Sequence, residues 1–120
     1  MVTSRSGVKH PLRVVPYALV FHFYTSIGHY CGVSVCSLEE FADALQHVCS
    51  EAIVFHFERG DFQNWVRDII GDAELTKSID DIRMCSHELS ADCCRKDLVE
   101  AVRIHIFQLE TSEVPPFFGG

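Results

Sequence analysis

Polar side chains of different chemistry crowd into a short stretch near the middle of the chain, around its single tryptophan. Imidazole, guanidinium, carboxylate and indole groups side by side are typical of a small-molecule pocket, because they combine apolar surface with hydrogen-bonding groups. The candidate ligand-binding residues are His56, Arg59, Asp61, Trp65 and Arg67.

His56 is the strongest candidate of this set, since it lies between two phenylalanines just before the turn that positions Trp65. A half-buried imidazole at this point would form the floor of a pocket, and its proton would titrate near neutral pH. The commoner role of such a histidine is structural, in which it hydrogen-bonds a backbone carbonyl and fixes the turn between two helices. The sequence leaves both interpretations open.

Catalytic chemistry finds little support in the spacing of the acidic and nucleophilic residues. Asp61 and Asp68 are seven residues apart, which on a helix places them about 10 Å apart along the axis, too far for direct cooperation. Cysteines and histidines are numerous, but the sequence does not show which thiol would meet which imidazole. Glycine-rich phosphate loops and Gly-x-Ser-x-Gly turns are absent from the sequence. We therefore predict no catalytic residue.

The cysteines and histidines also lack the spacing of a metal site, although thiolate and imidazole are the usual zinc ligands. The sequence contains no Cys-x-x-Cys and no His-x-x-x-His. The adjacent Cys93 and Cys94 would point about 100° apart on a helix, so they cannot readily face one ion. We predict no metal ligand and no cofactor. The residues considered are His22, His29, Cys31, Cys36, His56, His87, Cys93 and Cys94.

Two short apolar runs precede these residues and predict a small β-hairpin. Residues 17–25 are rich in β-branched and aromatic side chains and are followed by Ser26-Ile27-Gly28, a turn signal. Residues 30–35 would supply the partner strand. Periodicity alone does not distinguish a short apolar run from a buried helix. The alternative to the hairpin is an extended segment.

The chain from residue 37 onward predicts helices. Ser37 and Glu40 form a capping box, in which the Ser37 hydroxyl accepts from the amide of residue 40 while Glu40 reaches back. A second helix opens at Ser50, buries residues 53, 54, 55 and 57, and stops at Gly60.

The third predicted helix has the clearest apolar periodicity of the chain. Asp61 is placed to cap it, and the apolar residues Phe62, Trp65, Val66, Ile69 and Ile70 follow at helical spacing. Gly71 ends this helix, Asp72 caps the fourth, and Ser90 caps the last.

Length and charge limit the class of protein. A chain of 120 residues that is 48% hydrophobic suits one domain with one core. The first 38 residues carry Arg5, Lys9 and Arg13 and no acidic residue, while the rest holds the other seven basic residues and all 17 acidic ones. The excess of acidic residues after position 38 would repel nucleic-acid phosphates, so we predict no nucleic-acid partner.

We predict three segments: a flexible basic arm over 1–16, a single helical domain over 17–111, and a Pro/Phe/Gly tail over 112–120. The apolar run 14–24 is too short to cross a bilayer and lacks the features of a signal peptide, so we expect a cytoplasmic protein without a membrane partner. In that compartment the six cysteines would be reduced thiols.

The run HFERGDFQNWVRDIIGD with the following Glu74-Leu75, together with SLEEFADAL and FHFYT, resembles a prokaryotic family of small domains of unknown function. The resemblance covers roughly residues 17 to 110, and the pattern HFxRGDFxNWxRDxxGDxxL is fairly specific. It implies a compact prokaryotic domain with no assigned activity. Cys36, Cys49 and Thr76 stand where Ala, Pro and Ala are usual in that family, which argues against a family-wide role for the cysteines.

These observations predict a mainly α domain, a small bundle of four to five helices with a short N-terminal β-hairpin or extended segment. For function they favour a non-catalytic binding or protein-interaction module that binds a protein partner or self-associates, because nine Phe residues can leave an apolar patch exposed. The alternative is a small-molecule or metal-dependent enzyme with a site around His56, Asp61, Trp65 and Arg67.

Overall fold

The computed structural model describes residues 10–85 and 90–111, except for the side chain of Cys85. Within this part of the chain a two-stranded antiparallel hairpin precedes five α-helices, which confirms the predicted mainly α class with an N-terminal hairpin. The strands are β1 (Phe21–Ser26) and β2 (His29–Val35), and the helices are α1 (Leu38–His47), α2 (Ser50–Arg59), α3 (Asp61–Trp65), α4 (Ala73–Cys85) and α5 (Ala91–Thr111). The predicted tail 112–120, residues 1–9 of the predicted arm and His87 lie outside the described residues.

Strand β1 begins later than the sequence predicted. Tyr17–Leu19 form a 3-10 turn after Pro16, and the Leu19 amide donates to the Pro16 carbonyl at 2.8 Å. The Leu19 carbonyl in turn accepts from the indole Nε1 of Trp65 at 2.8 Å. A proline that cannot donate to a strand ladder and a carbonyl taken by a distant indole together delay the strand.

Alternation along β1 sends Phe21 and Phe23 into the core and leaves His22 exposed on the other face. Phe21 and Phe23 join an aromatic cluster with Phe41, Phe62 and Trp65, whose ring centroids are 5.0–6.3 Å apart. The cluster fixes the hairpin against α1 and α3, and so fixes the position of β1 relative to the helices.

The start of α1 matches the predicted capping box closely. The Ser37 hydroxyl accepts from the Glu40 amide at 3.2 Å. The Glu40 carboxylate reaches back to the amide of Cys36, at 3.0 Å, one residue before the cap. This arrangement joins the end of β2 to the first turn of α1.

Helix α2 presents a different face to the core from the predicted one. Its buried residues are Ala52, Ile53, His56 and Phe57, whereas Val54 and Phe55 are half-buried. The predicted side with residues 53, 54, 55 and 57 was wrong in part, because neighbouring helical residues point about 100° apart. His56 therefore lies on the core face and is only 4% exposed.

Gly60 ends α2 as predicted, with φ of 77° in the left-handed region that glycine adopts without a steric cost. The next helix starts at once, with Asp61 as its first residue and no side-chain hydrogen bond at its cap. The prediction that Asp61 caps α3 was therefore wrong. Its carboxylate is used for contacts with α2 instead.

The predicted helix 61–70 is α-helical only over its first half. Val66–Ile70 form a π-helical turn, in which the amides of Gly71 and Asp72 both reach the Val66 carbonyl, at 2.8 and 3.1 Å. The guanidinium of Arg13 donates to the carbonyls of Ile69 (2.5 Å) and Ile70 (2.9 Å). A cation is favourable at a helix C-terminus, so the segment before the hairpin stabilises the wider turn.

Asp72 caps α4 as predicted, since its Oδ1 accepts from the Leu75 amide at 3.0 Å. Its Oδ2 lies 2.5 Å from Nε2 of His105 on α5, and both side chains are buried. This buried pair joins the start of α4 to the middle of α5. Ser90 caps α5 through a longer contact of 3.5 Å to the Cys93 amide.

Within the described residues, no helix is both long enough and apolar enough to cross a membrane.

Candidate functional site

A concave surface of about 520 Å³ runs between the edge of β1 that faces away from β2 and the C-terminal half of α2. We call it the β1–α2 groove. Strand β1, the residue before it and the hairpin turn form one side, and α2 with the first residue of α3 forms the other. Its lining residues are Val20, Phe21, His22, Tyr24, Ser26, Ile27, Gly28, Phe55, His56, Arg59 and Asp61.

His56 connects the two sides of the groove. Its Nε2 lies 2.8 Å from the backbone amide of Tyr24 on β1, and its Nδ1 lies 2.8 Å from Oδ2 of Asp61. A backbone amide can only donate, so Nε2 must be the unprotonated acceptor and Nδ1 must carry the hydrogen that is donated to Asp61. The hydrogen bonds thus assign one neutral tautomer to His56.

The surroundings of His56 also favour the neutral imidazole. Burial lowers the pKa of His56 below its ordinary value, because the charged ring would lose its hydration. The Asp61 carboxylate acts in the opposite direction, while the positive charge of Arg59 lowers the pKa further. Burial outweighs the carboxylate, so the ring stays uncharged at neutral pH.

The turn at Gly60 explains why Asp61 can reach back to α2. Oδ2 of Asp61 accepts from both His56 Nδ1, at 2.8 Å, and Arg59 Nε, at 3.0 Å. The left-handed glycine reverses the chain between these residues, so a carboxylate five positions after His56 returns to its ring. Local sequence therefore builds this corner of the groove.

Arg59 has a second contact besides Asp61. Its guanidinium carbon lies 5.0 Å from the centroid of the Phe55 ring, a cation–π distance. Phe55 and Arg59 are four residues apart on α2 and therefore share one face of the helix. Aromatic, cationic and acidic groups thus meet at one end of the groove.

The structure separates the other two candidate residues from this site. Trp65 is 6% exposed, packs in the aromatic cluster and donates to the Leu19 carbonyl. Arg67 lies on the solvent side of the π turn, where it binds Asp68 and Asn64, each at 2.9 Å. Of the five candidates, His56, Arg59 and Asp61 come together and Trp65 and Arg67 do not.

Sequence reasoning missed the half of the groove that β1 and the hairpin turn supply. His22, Tyr24 and Ser26 alternate with the buried phenylalanines, and that alternation was the available signal for a second face. Tyr24 and His56 are 32 positions apart, so no local sequence pattern predicts their contact. The buried Asp72–His105 pair was missed for the same reason.

The groove combines apolar surface with a few hydrogen-bonding side chains. Both nitrogens of His56 are engaged, so the ring has no free lone pair with which to take a proton from a ligand. Arg59 supplies hydrogen-bond donors, and Ser26 and Tyr24 contribute side-chain hydroxyls. In the part of the chain that the structure describes, no three His, Cys, Asp or Glu side chains are grouped so that they could hold a metal ion.

Comparison with known proteins agrees with the family resemblance seen in the sequence. No match to the chain was found among curated proteins or among solved structures. A model of a family of unknown function, DUF5752, matches residues 2–103, which is most of the chain and includes every residue of the groove. The protein therefore belongs to the DUF5752 family of unknown function.

Proposed function

We propose that the protein is a non-catalytic binding module and that its ligand occupies the β1–α2 groove. The observation that carries this proposal is the engagement of both His56 nitrogens, which leaves a fixed floor without an available general base. A floor held by two hydrogen bonds is preorganised, so little conformational entropy would be lost when a ligand binds.

The size and composition of the groove support the same proposal. Its volume of about 520 Å³ falls within the range of about 300–1,000 Å³ that is typical of ligand sites. Apolar side chains line it beside a few fixed polar groups, the usual composition of such sites.

Filling the groove tests the proposal. Ser26 lines it and is exposed, so Ser26→Phe would place a phenyl ring in the ligand space without disturbing the core. We expect the wild-type protein to bind members of a small-molecule fragment library in NMR titrations, with shifts at groove amides such as Tyr24 and Arg59. We expect Ser26→Phe to weaken that binding at least tenfold.

Ser78→Phe is the matched control, because Ser78 is exposed on α4 and lies outside the groove. Circular dichroism would verify that both variants are folded. Equal fragment binding by Ser26→Phe and Ser78→Phe, or a library without any hit at the groove amides, would contradict the proposal.

We also propose cytoplasmic localisation and self-association for this module. The five cysteines whose side chains are described are free thiols, as expected in a reducing compartment. Ile104 and Phe107 are 51% and 64% exposed on α5 and could supply apolar contact area to a second copy. Light scattering of the purified protein measures its oligomeric state.

A further inference from the structure

The guanidinium of Arg59 is held from two directions. Its Nε donates to Oδ2 of Asp61 at 3.0 Å, and its Cζ lies 5.0 Å from the centroid of the Phe55 ring. Arginine side chains are flexible, and ordering one on binding normally costs entropy. Contacts that already restrict Arg59 lower that cost for a ligand that uses it.

The donors at the far end of the Arg59 side chain are not used by any of the described residues. Within the described residues, Nη1 and Nη2 have no protein acceptor, since the hydrogen bond to Asp61 is made through Nε. The edge formed by Nη1 and Nη2 offers two parallel N–H groups. That geometry matches the two oxygens of a carboxylate.

Apolar side chains line the same groove as Arg59. Val20, Ile27 and Phe55 line the same groove, and Ile27 is 79% exposed at the hairpin turn. A phosphate or sulfate would turn its remaining charged oxygens toward this surface, at a cost in desolvation. A carboxylate attached to an apolar body leaves no such oxygen.

Resting on the function proposed above, we propose that the β1–α2 groove selects ligands that carry a carboxylate on a small apolar or aromatic body. The carboxylate binds Nη1 and Nη2 of Arg59, and the body packs against Val20, Ile27 and Phe55. The groove volume of about 520 Å³ accommodates a ligand of this size.

Asp61 limits the strength of this selection. Its carboxylate already offsets much of the charge of Arg59, so the ligand gains hydrogen bonds more than net attraction. The Arg59 side chain is also half exposed, which screens the interaction. We therefore expect a preference of about tenfold for a carboxylate over its neutral amide.

Two matched ligand pairs test the proposal by NMR titration of the full chain. The first is phenylacetate with phenylacetamide, and the second is the peptide acetyl-Gly-Gly-Phe with its C-terminal amide. In either pair, tighter binding of the carboxylate by about tenfold, lost in Arg59→Gln, supports the proposal. The pair that binds more tightly shows whether the carboxylate comes from a free acid or from a peptide end.

Arg67→Gln is the control, because Arg67 is matched in exposure (54% against 50%) and also pairs with a nearby aspartate, but lies outside the groove. We expect it to bind both carboxylates like the wild type. Arg59→Lys keeps the charge without the planar fork, so it should lose most of the preference while it retains the wild-type melting temperature.

Failure of this inference and failure of the proposed function give different results. If neutral fragments bind the groove and Ser26→Phe blocks them, but carboxylates and amides bind equally in the wild type, only the carboxylate selection is wrong. If no ligand or fragment shifts the groove amides, both proposals are wrong.

Discussion

At the scale of single residues, the two hydrogen bonds of His56 can both form only while its ring is neutral. The neutral ring accepts from the Tyr24 amide through Nε2 and donates to Asp61 through Nδ1. Protonation would add a second hydrogen to the ring, on Nε2, directly opposite the amide hydrogen of Tyr24. The bond to β1 would then become a contact between two donors, and only the bond to Asp61 would remain.

We therefore predict that His56 makes stability depend on pH. Its pKa is lower in the folded protein than in the unfolded chain, where it is about 6.5, so the unfolded chain binds the proton more readily. The His56 contribution is fully present above about pH 6.5 and is lost as the pH falls from there toward the folded-state pKa. Urea unfolding at a series of pH values measures this loss.

His56→Gln keeps an acceptor for Tyr24 but does not titrate, so it isolates the effect. We expect it to cost about 1–3 kcal/mol at pH 7.5, because a buried hydrogen-bonding ring is replaced. The difference from the wild type should shrink as the pH falls below about 6.5. Parallel pH profiles for the two proteins would show that His56 does not carry the dependence.

Three of the five residues that the sequence suggested as ligand-binding meet in the groove. Their separation along the sequence explains why these three meet and the other two do not. His56, Arg59 and Asp61 lie within six positions, so one glycine turn is enough to join them. Trp65 and Arg67 fall on other faces of the following helix, and their contacts with Leu19 and Asp68 decide where they point. The role of Asp61 was misassigned because a helix cap and a histidine compete for the same carboxylate.

At the scale of elements, the reversal between α2 and α3 depends on the left-handed backbone of Gly60. No heavy atom lies within 4 Å of the position that a Cβ would take at residue 60. A larger residue is therefore disfavoured there by the backbone conformation and not by a steric clash with neighbouring atoms. This reversal is also what returns Asp61 to His56. The geometry of the groove corner thus depends on one glycine.

Gly60→Ala should destabilise the protein by about 1–2 kcal/mol through left-handed strain alone. Gly60→Asn is the informative comparison, because asparagine tolerates this region better than alanine. We expect Asn to cost clearly less than Ala in chemical denaturation. If Ala and Asn cost the same, backbone strain is not the cause.

Helix ends were the most predictable feature of the elements, apart from the cap of α3, because their signals are local. The Ser37 and Asp72 caps and the glycine stop at residue 60 all agree with the structure. The π turn was not predictable, since its carbonyls are satisfied by Arg13, which lies more than 50 positions away. The 3-10 turn that delays β1 likewise depends on a bond to Trp65.

At the scale of the whole molecule, the buried Asp72–His105 pair joins α4 to α5. No local sequence pattern predicts this contact, because the two residues are 33 positions apart. Asp72 serves twice, since Oδ1 caps α4 and Oδ2 meets His105 on α5. His105 is buried on α5 together with Leu98 and Val102, so the histidine belongs to the core face of that helix. Packing between distant elements decided its environment.

Asp72→Ala should destabilise the whole fold by about 2–4 kcal/mol, because it removes a helix cap and leaves the His105 ring buried without its partner. Asp81→Ala serves as the control, since Asp81 pairs with Lys77 at 3.3 Å on the surface and should cost at most about 0.5 kcal/mol. Thermal and urea unfolding give both values. If both variants lose a similar free energy of unfolding, the buried Asp72–His105 pair contributes no more to stability than a surface ion pair.

The bond between His56 and Tyr24 also has a consequence for solubility. A two-stranded sheet leaves strand edges that can pair with strands of other chains and so start aggregation. The Tyr24 amide faces away from β2 on such an edge, and His56 already accepts its hydrogen. A side chain from the adjacent helix thus occupies a position that a foreign strand would need, and keeps β1 from acting as a template for aggregation.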